Sequence, residues 1–348
     1  MKHGWIWVLI GACVFGAPAG PIAAQDPIAY VWDNDDGQPI QNRSWCKQDN
    51  WNPKGTPGSI DSATIPELDQ NHQYPIFDCE DPGTIASLTI DANSNSHVEL
   101  TFQNSGDPRV LIIEDRDGLN ILGDNSDVLI RNNGVLQLNG GGVATIGGTI
   151  RFDNAETTAP KFVLGDGSNL TIKGDGNSTV TFVAAYRTLI TGQVAAPDDA
   201  EVLVLSSDVR MCGSFDIDVL LVNNGRVQTA VDCGLDPGER EKPGTINLIC
   251  HPKGGSGYWL VDGGKGTGSG EESKLNVDTG LASTGNLLIW KYGWAIFSRP
   301  GTFVRDTFWD GSPNDSGHLM VRRGGTLRVR KNLAFDAHRW DVKCVPSE

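Results

Sequence analysis

From Ile85 onward the chain is a succession of short apolar runs broken by polar turns. Examples are "IASLTI", "HVELTF", "RVLIIED", "DVLIRN", "VLQLN", "NLTIKG", "EVLVLSS" and "TINLIC". Several of these runs alternate apolar and polar positions, and Gly, Asn, Asp or Ser separates them. A period of two marks a strand with one face buried, and the separating residues are those that turns demand. The 3.6-residue period of an amphipathic helix is missing. An all-β chain is therefore expected.

One bend recurs. Leu129–Leu138 reads "LIRNNGVLQL", Leu220–Thr229 reads "LLVNNGRVQT" and Met320–Val329 reads "MVRRGGTLRV". Aligned on Gly134, Gly225 and Gly325, the copies stand 91 and 100 residues apart. Those distances fit four or five turns of roughly 20 residues each. Asn-Gly between alternating apolar residues is a hairpin signal. In a parallel solenoid the same residues turn a corner, with Gly or Asn at positive φ. A solenoid pairs each coil with those above and below, ~4.8 Å away, and needs short strands and many bends. A sandwich prefers longer strands at about 8–12-residue spacing. The expected fold is a right-handed parallel β-helix, with a β-sandwich or jelly roll as the alternative.

Three spans divide the chain. Residues 1–24 carry Lys2, an apolar run from Trp5 to Ala17, and small residues up to Ala24, as in a secretory signal peptide. The run is shorter than the roughly 20 residues a membrane span needs, and no later segment is apolar enough to make a transmembrane segment. Residues 25–84 hold Trp32, Trp45 and Trp51, several prolines and little strand pattern. They are expected to cap the open end of the solenoid, because a bare first coil presents an apolar core and unpaired strand edges. Residues 85–348 form the β-helix, with a charged loop at Leu235–Gly244 and a Gly-rich excursion at about 251–274.

The stretch that starts at Trp32 also carries a resemblance. Its residues are Trp32, Ser44-Trp45, Asn50-Trp51, Gly55, Pro57, Asp61, Ile65-Pro66, Pro75 and Ser87-Leu88-Thr89-Ile90. In that order they resemble the start of secreted bacterial surface proteins with a right-handed parallel β-helix of the pectin-lyase-like kind. The resemblance covers about residues 30–102 and implies architecture and export more than chemistry. Cys46 and Cys79 are not part of the pattern.

Charge narrows the partners. The chain has 28 Lys and Arg against 43 Asp and Glu, a net charge of −15. Lys2 is the only charged residue in the span 1–24, so the exported chain would carry −16. Such a field repels phosphate backbones and anionic lipid heads, which argues against nucleic acid as a partner. Cys13 would leave with the signal, and Cys46, Cys79, Cys212, Cys233, Cys250 and Cys344 would remain. An even count in an exported chain implies disulfides. Near neighbours give Cys46–Cys79 and Cys212–Cys233, which leaves Cys250–Cys344.

Candidate chemistry is sparse. Acid-rich turns recur, and Asp115, Asp117, Asp124 and Asp127 are the candidate Ca²⁺ ligands if neighbouring coils stack them. They match no EF-hand or nine-residue calcium repeat, and Asp also favours turns on its own account. Trp290, Tyr292 and Trp294 alternate, so one strand would set all three on one face, where they could stack on sugar rings or pack beneath the Gly-rich excursion. No G-x-S-x-G elbow appears, the lysine of "GGKGTGSG" is followed by Gly266 where a phosphate loop needs Ser or Thr, and the histidines are scattered. No catalytic residue and no cofactor beyond Ca²⁺ is assigned. The expectation is an exported, extracellular, cell-surface or periplasmic protein, adhesin-like or structural. Its partner would be extracellular polysaccharide or cell-surface glycans. The alternative is a polysaccharide lyase or glycoside hydrolase on the same scaffold.

Overall fold

The computed structural model describes residues 25–33, 43–68, 74–92, 97–103, 107–153, 158–176, 180–193, 201–229, 243–261, 272–289, 293–303, 307–309, 318–321, 326–329, 333–335 and 343–344. Side chains are described as far as residue 301, apart from 180 and 181. The signal-like residues 1–24 lie outside this set.

The chain winds as a three-faced β-solenoid. The strands Ser62–Pro66, Ser87–Asp91, Leu119–Leu122 and their successors stack in parallel on the first face. Ile76–Phe77, Val98–Phe102 and Ser126–Ile130 begin the second face. Gly83–Ile85, Arg109–Ile113 and Gly134–Leu138 begin the third. Every pairing between the described strands is parallel except that of Ala29–Trp32 with Trp51–Asn52, which excludes the sandwich and jelly-roll alternative. Two long strands, Val180–Gly192 and Val209–Asp218, turn a corner and serve two faces each. The thirty-one described strands from Ser62–Pro66 to Lys343–Cys344 therefore make eleven coils.

The alternation read from the sequence decides which side chains fill the lumen. In Ser87–Asp91 the burial alternates, with Leu88 and Ile90 inside. Ile65, Ile90, Ile121 and Ile146 stand in one interior column, each above the last. Phe152 stacks on Phe182 at 6.3 Å and meets Phe215 edge-on at 6.1 Å. Each fully buried aromatic or aliphatic side chain contributes about 1.5–3 kcal/mol, which is the driving force for closing the coil.

The aromatic stopper sits at the N-terminal end. Trp32, Trp45 and Trp51 are each no more than 1% exposed. Trp51 lies edge-on to Trp32 at 5.2 Å and to Trp45 at 4.6 Å, and Trp45 leans on Phe77 at 5.7 Å. Trp51 Nε1 donates to the Trp45 carbonyl at 2.8 Å, so the buried indole N–H is satisfied. Asp61 ties the flanks, its carboxylate accepting from Ile28 N and Gly58 N, both at 2.8 Å. At Gly55 a Cβ would fall 2.6 Å from the Tyr30 hydroxyl, so any larger residue there has to displace the Tyr30 ring. The disulfide Cys46–Cys79 closes the same region.

Three expectations change. Parallel pairing begins before Ile85: Ala29–Trp32 already pairs with Ser62–Pro66, and "SATIP" has the alternating burial of a strand, so the first coil starts there. The excursion expected at about 251–274 is largely solenoid. Lys253–Gly255, Tyr258–Val261 and Ser273–Val277 are strands with Trp259 buried, and only 262–271 lies outside the described residues. The loop at Leu235–Gly244 lies outside them as far as residue 242. Coil length is not constant either. Leu205 pairs with Asn223 and Leu170 with Leu203, so the second of these coils is nearly twice as long as the first. The extra length is spent at corners, where stacking does not constrain the loop.

Candidate functional site

The predicted site residues do not assemble as expected. Asp115 and Asp117 occupy the corner before Leu119–Leu122, and Asp124 the corner after it. Asp117 takes φ 62 and accepts from Val143 N, a turn role. Asp127 has left the corners altogether: it lies on the strand Ser126–Ile130, where its carboxylate accepts from His97 Nε2 at 2.9 Å and pairs with Arg151 at 3.2 Å. The four acids are thus divided by a strand and form no common site among the described residues.

Only Trp294 of the aromatic row falls within the described residues. Asn286–Ile289 belongs to the second face and Gly293–Phe297, which carries Trp294, to the third. Trp290 and Tyr292 lie outside the described residues. Trp294 is half-buried and pairs in register with Lys274 and His318.

The cysteines divide three ways. Cys212 is buried and disulfide-bonded, while Cys233 lies outside the described residues. Cys250 is a free, exposed thiol, which corrects the expected Cys250–Cys344 bond. The register gives the reason. Leu248 stands beneath Val277, Phe297, Val321 and Cys344 in turn. Cys344 is therefore four coils, about 19 Å, from the strand that leads into Cys250, whereas a disulfide joins Cα atoms about 5.5–6 Å apart. Burial and the neighbouring Asp218 carboxylate push the Cys250 thiol pKa up, so it is not an activated thiolate.

What the winding does bring together is a cleft of about 640 Å³ on the second face. Arg210, Arg226 and Tyr258 occupy successive coils at one register position, so their side chains follow one another at about the 4.8 Å coil spacing. Leu260 and Leu288 form the parallel row behind them. Asp208 and Asn224 close the side at the corner. The corner carries little side-chain bulk: a Cβ on Gly225 would meet Val209 O at 2.2 Å, and one on Gly257 would meet Gly225 O at 2.2 Å. Tyr258 is 48% exposed, among the most exposed of the large apolar side chains. Asp208 Oδ2 accepts from Gly174 N at 2.8 Å, and its buried Oδ1 has no hydrogen-bond partner among the described residues.

The cleft can hold a ring against the phenol and guanidinium planes, with hydroxyl or carboxylate groups reaching the guanidinium edges. Its residues escaped the sequence reading because the step from Arg226 to Tyr258 is twice that from Arg210 to Arg226, and no constant period connects the three. The chain matches no protein-family model, no curated protein and no solved structure.

Proposed function

We propose that this is an exported, non-enzymatic surface or extracellular β-solenoid that binds polysaccharide along its second face. The observation that carries this reading is the in-register column Arg210–Arg226–Tyr258 beside the apolar row of Leu260 and Leu288. A column that repeats at the coil spacing suits an extended polymer better than a compact metabolite. Export is supported by the signal-like segment before Gln25, the Trp-rich start resembling secreted bacterial surface proteins, and the Cys46–Cys79 disulfide.

The test is binding to a panel of neutral and acidic polysaccharides, with product analysis on the same mixtures. Tyr258→Ala is expected to weaken binding about tenfold, the loss of roughly 1.4 kcal/mol of stacking and contact, with no change in fold. Equal binding by the variant refutes the cleft. One feature favours the alternative, a lyase or glycoside hydrolase: an Asp208 carboxylate with one unpaired oxygen lines the same cleft as two arginines. Release of unsaturated or reducing-end products that disappears in Asp208→Asn would establish it.

A further inference from the structure

We infer that the second face carries a divalent-metal site made by His97, Glu99 and Asp127. The strand Ser126–Ile130 stacks on Val98–Phe102 with Asp127 directly above Glu99. His97 immediately precedes the lower strand. One ligand atom from each of the three lies within 4.8 Å of the other two. This is one imidazole nitrogen and two carboxylate oxygens, the mixed donor set that suits Zn²⁺ and similar first-row ions better than Ca²⁺, which takes oxygen ligands.

The spacing is close to what an ion needs. His97 Nε2 and Asp127 Oδ2 are 2.9 Å apart. That is the hydrogen-bonded distance without an ion. Two ligand bonds of about 2.1 Å at the tetrahedral angle set their donor atoms about 3.4 Å apart, so the exposed imidazole needs to swing out by only about half an ångström to admit one. The neutral imidazole then keeps its proton on Nδ1 and offers the Nε2 lone pair.

The carboxylates are held before any ion arrives. Asp127 is 2% exposed, and Arg151 Nη2 donates to its Oδ2 at 3.2 Å. Thr101, on the same strand as Glu99 and the same side of it, donates its hydroxyl to that carboxylate. Outer contacts of this kind orient ligating carboxylates. The His97 side chain is 55% exposed, so three protein ligands stand on an open surface and leave coordination positions for water or an oxygen ligand. The site lies on the same face as the cleft, three coils from Arg210, but it does not depend on the proposed glycan binding.

The experiment is a titration of EDTA-stripped protein with Zn²⁺ against a chromophoric indicator, in a Cys250→Ser background so that the free thiol does not compete. One equivalent is expected to bind, and His97→Gln, at an exposed position, should lower its affinity at least 30-fold with the far-UV spectrum unchanged. Glu99→Gln serves as the second variant in case either substitution disturbs folding. Asp115→Asn/Asp117→Asn should leave the affinity unaltered. The proposal is overturned if no equivalent binds, if both single variants bind as the parent does, or if the Asp115/Asp117 variant abolishes binding.

Discussion

Single residues show how far a local rule extends. In "LIRNNGVLQL" the expected positive φ falls on Asn133, at 56°, and Gly134 is needed for a different reason: a Cβ there would lie 2.6 Å from the Arg131 carbonyl oxygen. Lys253 is the clearest break with the pattern. It occupies an interior column between Leu221 and Leu281, is 3% exposed, and donates from Nζ to Ile249 O at 2.9 Å and to His251 O. Burial lowers its pKa from 10.5 to about 8, against the raising influence of Asp218 and Cys250. Between those two values the unfolded chain holds a proton that the folded chain has released, so stability rises with pH across that window. Below about pH 8 both states are charged and the folded state bears the full desolvation cost. Urea midpoints at pH 7.5 and 10 should therefore show the parent gaining on Lys253→Met by on the order of 2 kcal/mol. An equal pH response in the two proteins counts against the lowered value.

At the scale of the element, strands were legible and corners were not. "SLTI", "VELTF" and "VLVL" alternate in burial as the pleat requires. The three copies of the Gly-terminated bend, by contrast, sit at three different corners. Gly134 joins the second face to the third, Gly225 the first to the second, and Gly325, itself outside the described residues, separates a third-face strand from a first-face strand. A corner needs a small residue and a change of direction whichever faces it joins, so one sequence serves all three. Stacking makes the glycine necessary. A Cβ on Gly225 would meet two backbone carbonyl oxygens, Val209 O at 2.2 Å and Ser206 O at 2.5 Å, and neither can rotate aside. Gly225→Ala should lose about 2–3 kcal/mol in urea unfolding, and because Gly225 lines the cleft it should weaken polysaccharide binding as well. A loss within about 0.5 kcal/mol, the range of an ordinary surface substitution, would mean that the corner tolerates a side chain.

At the scale of the whole molecule, the parallel winding pairs each coil with its neighbours everywhere but at its ends, and the N-terminal end is closed by packing. Trp51 connects the strand of Trp32, the Trp45 loop and Tyr30 through edge-to-face contacts and one buried hydrogen bond. Trp51→Ala leaves a cavity costing about 3–5 kcal/mol and loosens the antiparallel strand that covers the first-face edge. The variant should unfold at lower urea and form oligomers detectable by light scattering at concentrations where the parent is monodisperse. Retained stability with no oligomers would show that the indoles are not what closes the end.

The sequence by itself determined the period-two strands, their short length, the bends between them and the burial of Trp32, Trp45 and Trp51, because these follow from local polarity and from the size of an indole. It also pointed to Cys46–Cys79, a bond between near neighbours. Only the tertiary structure decided which strands share a face, since coils that differ nearly twofold in length leave no period to count along. For that reason Asp127 met His97 and Arg151 rather than Asp115, Cys250 stayed clear of Cys344, and Arg210, Arg226 and Tyr258 came to stand in one column. Neighbours across a solenoid are set by backbone stacking at a fixed spacing, whereas their distance along the chain is set by corner loops that the stacking leaves free to vary.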